Sequence, residues 1–325
     1  MSETILVCGG AGYIGSHTAA ALLERGYNVV VADNLTTGHR EAVLDGAKLI
    51  VGDLRDPDFV QAALLKEKPD AVVDFAAYSL VGESMSNPLD YYENNFAGAL
   101  NLLKAMKNAG IGRIVFSSTA SVYGVPEELP ILESSKTDPI NPYGETKLAV
   151  EKMLKWADAA YGIKYTALRY FNAAGAHISG KIGEDHNPET HLIPNIIQAA
   201  LKDEEAAIFG GDYSTEDGTC VRDYVHVSDL ADAHILALNA LKKGASATYN
   251  LSSSHGFSNL EILKTAEKVT GKKIKYKIGP RRQGDPDVLV ASSDKISTEL
   301  HWRPQYAQLE KIIETAFVWH SSRPR

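Results

Sequence analysis

The 325-residue chain is poor in cysteine, with only Cys8 and Cys220. Two thiols make no disulfide framework, and the expected setting is a reducing cytoplasm. Long apolar runs are also missing. None approaches the roughly 18 residues a bilayer-spanning helix needs, so no membrane partner is expected. The opening "MSETILVCGG" lacks a basic n-region and reaches its glycines too early for a signal peptide. Positive charge is in deficit, with 33 Lys and Arg against 41 Asp and Glu and a net charge of −8. A nucleic-acid partner, which needs a basic surface, is not expected. A small anionic ligand needs only a helix N-terminus and an arginine or two. The ten histidines show no H-E-x-x-H or similar ligand spacing, so no metal site and no metal-dependent hydrolysis is expected. Low-complexity tracts and internal repeats are absent.

What is present is ordinary globular composition, 44% apolar and 23% charged, in a length that suits one large domain or two fused ones. In the first half, short apolar runs alternate with helical patterns. "TILVCGG" reads as a buried parallel strand ending in glycines, and "SHTAAALLERG" as a helix stopped at Gly26. "YNVVVADN", "AKLIVGDL", "DAVVDFAA" and "GRIVFSSTAS" read as further strands, with "DFVQAALLKE" and "ALNLLKAMKNAG" as helices between them. This alternation predicts an α/β fold, a Rossmann-like doubly wound parallel sheet with helices on both faces. Ligands in such sheets bind beyond the carboxyl ends of the strands, where Gly9, Asp33, Asp53, Ala76 and Ser117 fall.

"GGAGYIG" places Gly9, Gly12 and Gly15 between the first strand and the first helix. Glycines there let backbone N–H groups approach a pyrophosphate. Asp33 ends the second strand, 18 residues past Gly15, where a carboxylate bonds the adenosine ribose hydroxyls and repels the extra phosphate of NADP. The combination predicts bound NAD. "NPYGETK" then sets Tyr143 and Lys147 four residues apart, on one face of a helix. With 15 Tyr and 22 Lys in the chain, chance alone supplies on the order of one such pair, so the pair signifies only in context. That context is the cofactor edge of the sheet, where "VFSSTASVYG" ends a strand in hydroxyls and brings Thr119 toward Tyr143. A tyrosine acts as a base only if its pKa falls from about 10 toward 7, a preference of roughly 4 kcal/mol for the phenolate. Lys147 and a positive nicotinamide can supply it.

On these motifs, and on "VGES", "YYENN", "LRYFNAAGA", "GEDH", "HLIP", "IFGGDYSTEDGTCVRDYVHVSDLADAH", "YNLSS" and "RRQGDPD", the chain resembles the UDP-glucose 4-epimerase family of the extended short-chain dehydrogenase/reductase superfamily, nearly end to end. The resemblance implies that Tyr143 takes the proton from the sugar 4-OH, Thr119 hydrogen-bonds the reacting oxygen, and Lys147 holds the nicotinamide ribose and tunes Tyr143. It implies that Gly9, Gly12, Tyr13, Ile14 and Gly15 surround the pyrophosphate, with Asp33 and Asn34 at the ribose and Asp53 and Leu54 at the adenine. Phe75, Ala76, Ala77, Asn94 and Tyr170 would line the path to the nicotinamide. Asn172, Leu192, Phe209, Arg222, Arg282 and Asp285 match UDP-contacting positions. Ser79 and His191 fall at sugar-side positions where relatives vary. Leu289 falls at the sugar-pocket gate, where a residue smaller than Tyr admits N-acetylated sugars. Read alone, Arg222 would be a surface ion pair with Asp223, and Phe209 a core residue.

The implied reaction interconverts UDP-glucose and UDP-galactose through a 4-keto sugar, and extends to their N-acetylated counterparts. Among alternatives, a 4,6-dehydratase needs an Asp-Glu pair after the Thr, but Ala120 and Ser121 stand there. A uronate epimerase and a non-catalytic NAD or sugar-nucleotide sensor stay open. Residues 1–171 are expected to form the NAD-binding domain, with the chain returning to it near 220–255, and 172–325 mainly a smaller α/β substrate domain. Tyr91–Ala109 and Gly144–Tyr161 read as helices apolar on more than one side, through Leu100, Leu103 and Met106 and through Leu148, Met153, Leu154, Trp156 and Ala160. The family pairs these helices in a four-helix bundle, which implies a homodimer.

Overall fold

A computed structural model describes residues 2–253, 255–281 and 285–323. In chain order the first half runs β1 (Thr4–Cys8), α1 (Tyr13–Glu24), β2 (Asn28–Asp33), β3 (Ala47–Val51), α2 (Pro57–Glu67), β4 (Ala71–Asp74), α3 (Val81–Ser86), α4 (Pro88–Tyr91), α5 (Gly98–Ala109), β5 (Arg113–Ser117), α6 (Pro142–Tyr161) and β6 (Lys164–Arg169). The second half runs β7 (Asn172–Ala174), α7 (Leu192–Lys202), β8 (Glu205–Phe209), β9 (Val221–His226), α8 (Val227–Ala240), β10 (Ala247–Asn250), β11 (Gly256–Ser258), α9 (Asn259–Thr270), β12 (Lys275–Gly279), β13 (Val288–Leu289), α10 (Asp294–Glu299) and α11 (Leu309–Ser321).

A seven-stranded sheet has the order β10-β6-β5-β4-β1-β2-β3, and every neighbouring pair is parallel. The near-continuous apolar strands follow from burial on both faces. Ile5, Val7, Val29, Val31, Val73, Val115 and Leu168 pack with α1 and α8, while Leu6, Cys8, Val30, Ala32, Val72, Ile114 and Phe116 pack with α2, α5 and α6. Each large aliphatic side chain so buried contributes roughly 1.5–3 kcal/mol relative to exposure. β1 lies between β2 and β4, so the crossover direction reverses beside it and opens a crevice at the carboxyl ends.

A separate apolar cluster joins α7, α9 and α11 to β8 and β9 through Ile196, Ile197, Ile208, Tyr224, Ile262, Ile312 and Ile313. Here β9 pairs with β7, β11 and β13, and β8 with β12. The main sheet also takes strand β10 from this late part of the chain, placed beside β6.

The helix expected over 91–109 is interrupted by a π-helical turn at 92–97. Asn95 accounts for it. Its carboxamide accepts the Tyr78 N–H at 2.8 Å and donates to the Tyr78 carbonyl at 3.0 Å and the Thr146 hydroxyl at 3.2 Å. These bonds anchor the wider turn. On the two helices expected to pair between subunits, Leu103, Met106, Leu148 and Leu154 are buried inside the subunit's own core. Trp156 stays 73% exposed, and on α3 and α4, which pack on α6, Met85 and Leu89 are 62% and 79% exposed.

One buried polar network ties the layers together. Arg169, at the end of β6, donates to Glu151 of α6 through Nε at 2.9 Å and Nη2 at 2.5 Å. Glu151 also accepts the Ser118 hydroxyl at 2.5 Å. Arg169 Nη1 donates to Tyr123 Oη at 2.9 Å, and that hydroxyl donates to Asn250 of β10 at 2.6 Å. Arg169→Met should therefore strand the Glu151 carboxylate and cost about 3–5 kcal/mol in a reversible urea titration. A loss under about 1 kcal/mol would refute this account of the network.

Candidate active site

The glycine turn closes against the crevice beside β1. Gly9 has φ +70°, and a Cβ there would sit 2.8 Å from the Ala76 nitrogen. A Cβ on Gly15 would meet the Gly9 carbonyl oxygen at 2.2 Å. Only glycine fits at either place. Gly12 precedes α1 with no side chain to cap it, so the first-turn N–H groups are available to an anion. Asp33 holds the turn: its carboxylate accepts the Ala11 N–H at 2.9 Å and the Leu35 N–H at 2.8 Å. Asn34 donates to Asp53 at 2.9 Å. Hydrogen bonding from Arg55 holds the Asp53 carboxyl well below the usual carboxylate range.

α6 starts where its sequence says it should, with Asn141 accepting the Gly144 N–H at 2.8 Å and Pro142 in the first turn. This sets Tyr143 and Lys147 one turn apart against the end of β5. Lys147 is 3% exposed, donates to the Ser117 carbonyl at 2.8 Å and lies 4.9 Å over the Phe116 ring. Burial lowers its pKa to about 8, against the pull of Asp74 and Glu151. Asp74 is pushed by burial up to about 6, with Lys147 opposing. Burial also raises the Tyr143 phenol above its ordinary value, and Thr119 beside it works the other way. Thr119 is buried and its Oγ1 accepts the Ser121 N–H at 3.1 Å. In the protein by itself, Tyr143 is thus a protonated phenol at neutral pH. Tyr170, whose hydroxyl lies 2.5 Å from that of Ser117, has its pKa raised by burial as well.

These groups share one cavity of about 1050 Å³. Tyr143, Lys147 and Thr119 line it together with Gly9, Gly12, Tyr13, Ile14, Gly15, Asp33, Asn34, Asp53, Leu54, Phe75, Ala76, Ala77, Asn94 and Tyr170. Ser79, Asn172, His191, Arg222, Asp285 and Leu289 line it too. Leu289 reaches the wall from β13, whereas its neighbours Val288 and Val290 do not. Leu192 lines a small adjoining pocket with Asn172 and His191. Phe209 lies off the cavity wall, 39% exposed at the end of β8, and is not a core residue. Arg282 lies outside the described residues. Arg222 pairs with Asp285 and not with Asp223, and it donates to the Pro286 carbonyl at 2.9 Å. Asp223 is buried and accepts from the Ser253 N–H and hydroxyl and the Ala291 N–H.

An anion-binding turn, a phenol and a buried ammonium thus share one space. A model of the NAD dependent epimerase/dehydratase family matches residues 5–252. The chain belongs to this family. NAD is thus its cofactor, and the bare N-terminus of α1 and the close-packed glycines suit a dinucleotide. The chain is 56% identical to the UDP-glucose 4-epimerase of Lacticaseibacillus casei over 99% of its own length and 98% of the relative's. It superposes with TM-score 0.94 and 38% identity on the UDP-glucose 4-epimerase of Bifidobacterium longum in complex with NAD+ and UDP, covering 99% of each chain. The UDP-Glc/GlcNAc 4-epimerase of Campylobacter jejuni is 40% identical, with TM-score 0.87 over 99% of this chain and 100% of that one.

Glu184, His186, Glu189 and His191 converge in the loop between β7 and α7, their ligand atoms within 4.8 Å of one another. Burial works against charge on His186, yet hydrogen bonds to Glu184 and Glu189 outweigh it and raise its pKa to about 9. The same two carboxylates raise His191 to about 10. The signal lay in "EDHNPETH", an E-x-H-x-x-E-x-H spacing.

Proposed function

We propose that the protein interconverts UDP-glucose and UDP-galactose by epimerisation at C4, with NAD retained through the cycle. The observation that carries this reading is the convergence of Tyr143, Lys147 and Thr119 with the glycine turn in one cavity. Bound NAD supplies reversible hydride acceptance from the sugar C4. Tyr143 takes the proton from the 4-OH and returns it, and Thr119 hydrogen-bonds the reacting oxygen. Because burial raises the phenol's pKa, its activation depends on positive charge nearby. Lys147 supplies part of that charge, since a pKa of about 8 leaves it mostly protonated at neutral pH. Lys147 would act together with the positive charge of a bound nicotinamide ring.

Gly9, Gly12, Tyr13, Ile14, Gly15, Asp33, Asn34, Asp53 and Leu54 hold the dinucleotide in this reading, and Phe75, Ala76, Ala77, Asn94 and Tyr170 continue its path. Asn172, Arg222 and Asp285 anchor UDP while the sugar turns, with Leu192 and Phe209 at the margin. Arginine suits the diphosphate through its planar fork of donors. Residues 1–171 with β10 act as the cofactor domain, and most of 172–325 as the substrate domain. Leu289 gates the sugar pocket, and its size suits a 2-acetamido group that a Tyr ring would exclude. The C. jejuni relative, named for both sugars, supports this dual specificity. The exposed Trp156, Leu89 and Met85 support a homodimer through the helices around α6.

Tyr143→Phe should lower epimerase activity by 10²–10⁴-fold while leaving NAD bound, as read by turnover of UDP-galactose and by cofactor release on denaturation. Activity within about tenfold of wild type would remove Tyr143 from the base role. Leu289→Tyr should shift the ratio of activity on UDP-N-acetylgalactosamine to that on UDP-galactose by about 10–200-fold against the acetamido sugar. An unchanged ratio would show that the gate lies elsewhere. Sedimentation at micromolar concentration should show a dimer, and a species of 35.2 kDa alone would exclude it.

A further inference from the structure

We infer that Glu184, His186, Glu189 and His191 form a binding site for a divalent transition-metal ion of the zinc class, which clasps the loop between β7 and α7 at the lip of the cavity. Two imidazoles and two carboxylates are a donor set such ions accept. Their convergence is tight. His191 Nδ1 lies 2.7 Å from Glu184 Oε1 and 3.3 Å from Glu189 Oε1, and His186 Nδ1 lies 3.1 and 3.9 Å from the same two oxygens. Ligands at zinc-like bond lengths on a tetrahedron stand roughly 3.3 Å apart. These separations, with Oε1 standing for the Glu189 carboxylate, bracket that value, and one donor atom from each of the four residues lies within 4.8 Å of every other.

A set of ion pairs would also bring these groups together, but it leaves two atoms unexplained. Glu189 Oε2 and His191 Nδ1 are buried and lack a hydrogen-bond partner among the described residues. The His191 nitrogen is close to Glu184 yet not aligned with it as a donor. Such groups are costly to leave unsatisfied and each calls for an explanation. The side chains of Glu184 and Glu189 are each only 4% exposed, so water does not serve them freely. An ion at the centre would take both atoms as ligands, and its two positive charges balance the two carboxylates.

The surroundings are those of a support for such ligands. Glu189 Oε1 already accepts the Thr190 and His191 N–H groups at 2.8 and 2.9 Å, which fixes its carboxylate. Trp319 of α11 donates to the Glu184 carbonyl at 2.8 Å, and His39 Nε2 lies 2.8 Å from the Asp185 carbonyl oxygen. The loop thus bridges the α11 end and the segment after β2. Four protein donors leave no open position, so the ion would hold structure and take no part in the hydride chemistry.

The test uses untagged full-length protein as purified. After dialysis against zinc-free buffer, elemental analysis should find about one zinc per chain. Protein stripped with a chelator should bind Co²⁺ and develop the strong visible absorption of a four-coordinate site. His186→Gln and Glu189→Gln, checked for folding by circular dichroism, should weaken zinc binding more than tenfold. Absence of both retained zinc and the cobalt spectrum in wild type would overturn the assignment and leave an imidazolium–carboxylate cluster. Zinc binding unchanged in both variants would place any ion elsewhere and overturn it equally. The wild-type cobalt spectrum decides the matter even if a variant fails to fold.

Discussion

The buried ion pair between Glu151 and Arg169 fixes how α6 sits on the sheet. It fastens α6 to the end of β6, and α6 carries Tyr143 and Lys147 two turns and one turn upstream of Glu151. The same pair reaches Ser118 beside Thr119, and through Tyr123 it reaches Asn250 on the late strand β10. A pair removed from water this far is weak as a source of net stability. Its service is geometric. The hydrogen bonds admit one register of helix against sheet, and that register brings the phenol to Thr119 and the ammonium to the Ser117 carbonyl.

The buried charges of the cavity moderate one another. Lys147 and Asp74 are both buried, and each moderates the cost of burying the other, with pKa values of about 8 and 6. Burial raises the Tyr143 phenol above its ordinary value, and the neighbouring Thr119 hydroxyl opposes the shift.

The second half of the chain completes the cavity from a different direction. β9 is the hub of the small sheet, and it aligns Arg222 with Leu289 of β13 as register partners. Arg222 and Leu289 thus sit side by side on two parallel strands, at a spacing that backbone hydrogen bonds hold constant. The loop with Glu184, His186 and His191 also lines the cavity and is pinned by Trp319 near the end of the described chain. Both walls are built from residues far apart in sequence.

The local chemistry was legible in the residues themselves. Glycines at 9, 12 and 15, an acid at the end of the second strand, and a capped helix opening with Pro142 and Tyr143 each obey short-range rules, because turn geometry and helix spacing depend on neighbours only. The parallel sheet followed for the same reason, since strands buried on both faces must be apolar throughout. Three features depended on tertiary structure. Asn95 breaks a helix that its periodicity predicts, because a bond to Tyr78 outweighs the regular pattern. Arg222 pairs with Asp285, 63 residues away, and not with adjacent Asp223, because consecutive strand residues point to opposite faces. The four donors at 184–191 lie close in sequence, but only the fold turns them inward and buries their carboxylates. Spacing along a chain determines what can meet within a turn or two; burial, and the partner a charge finds across the core, are decided by packing.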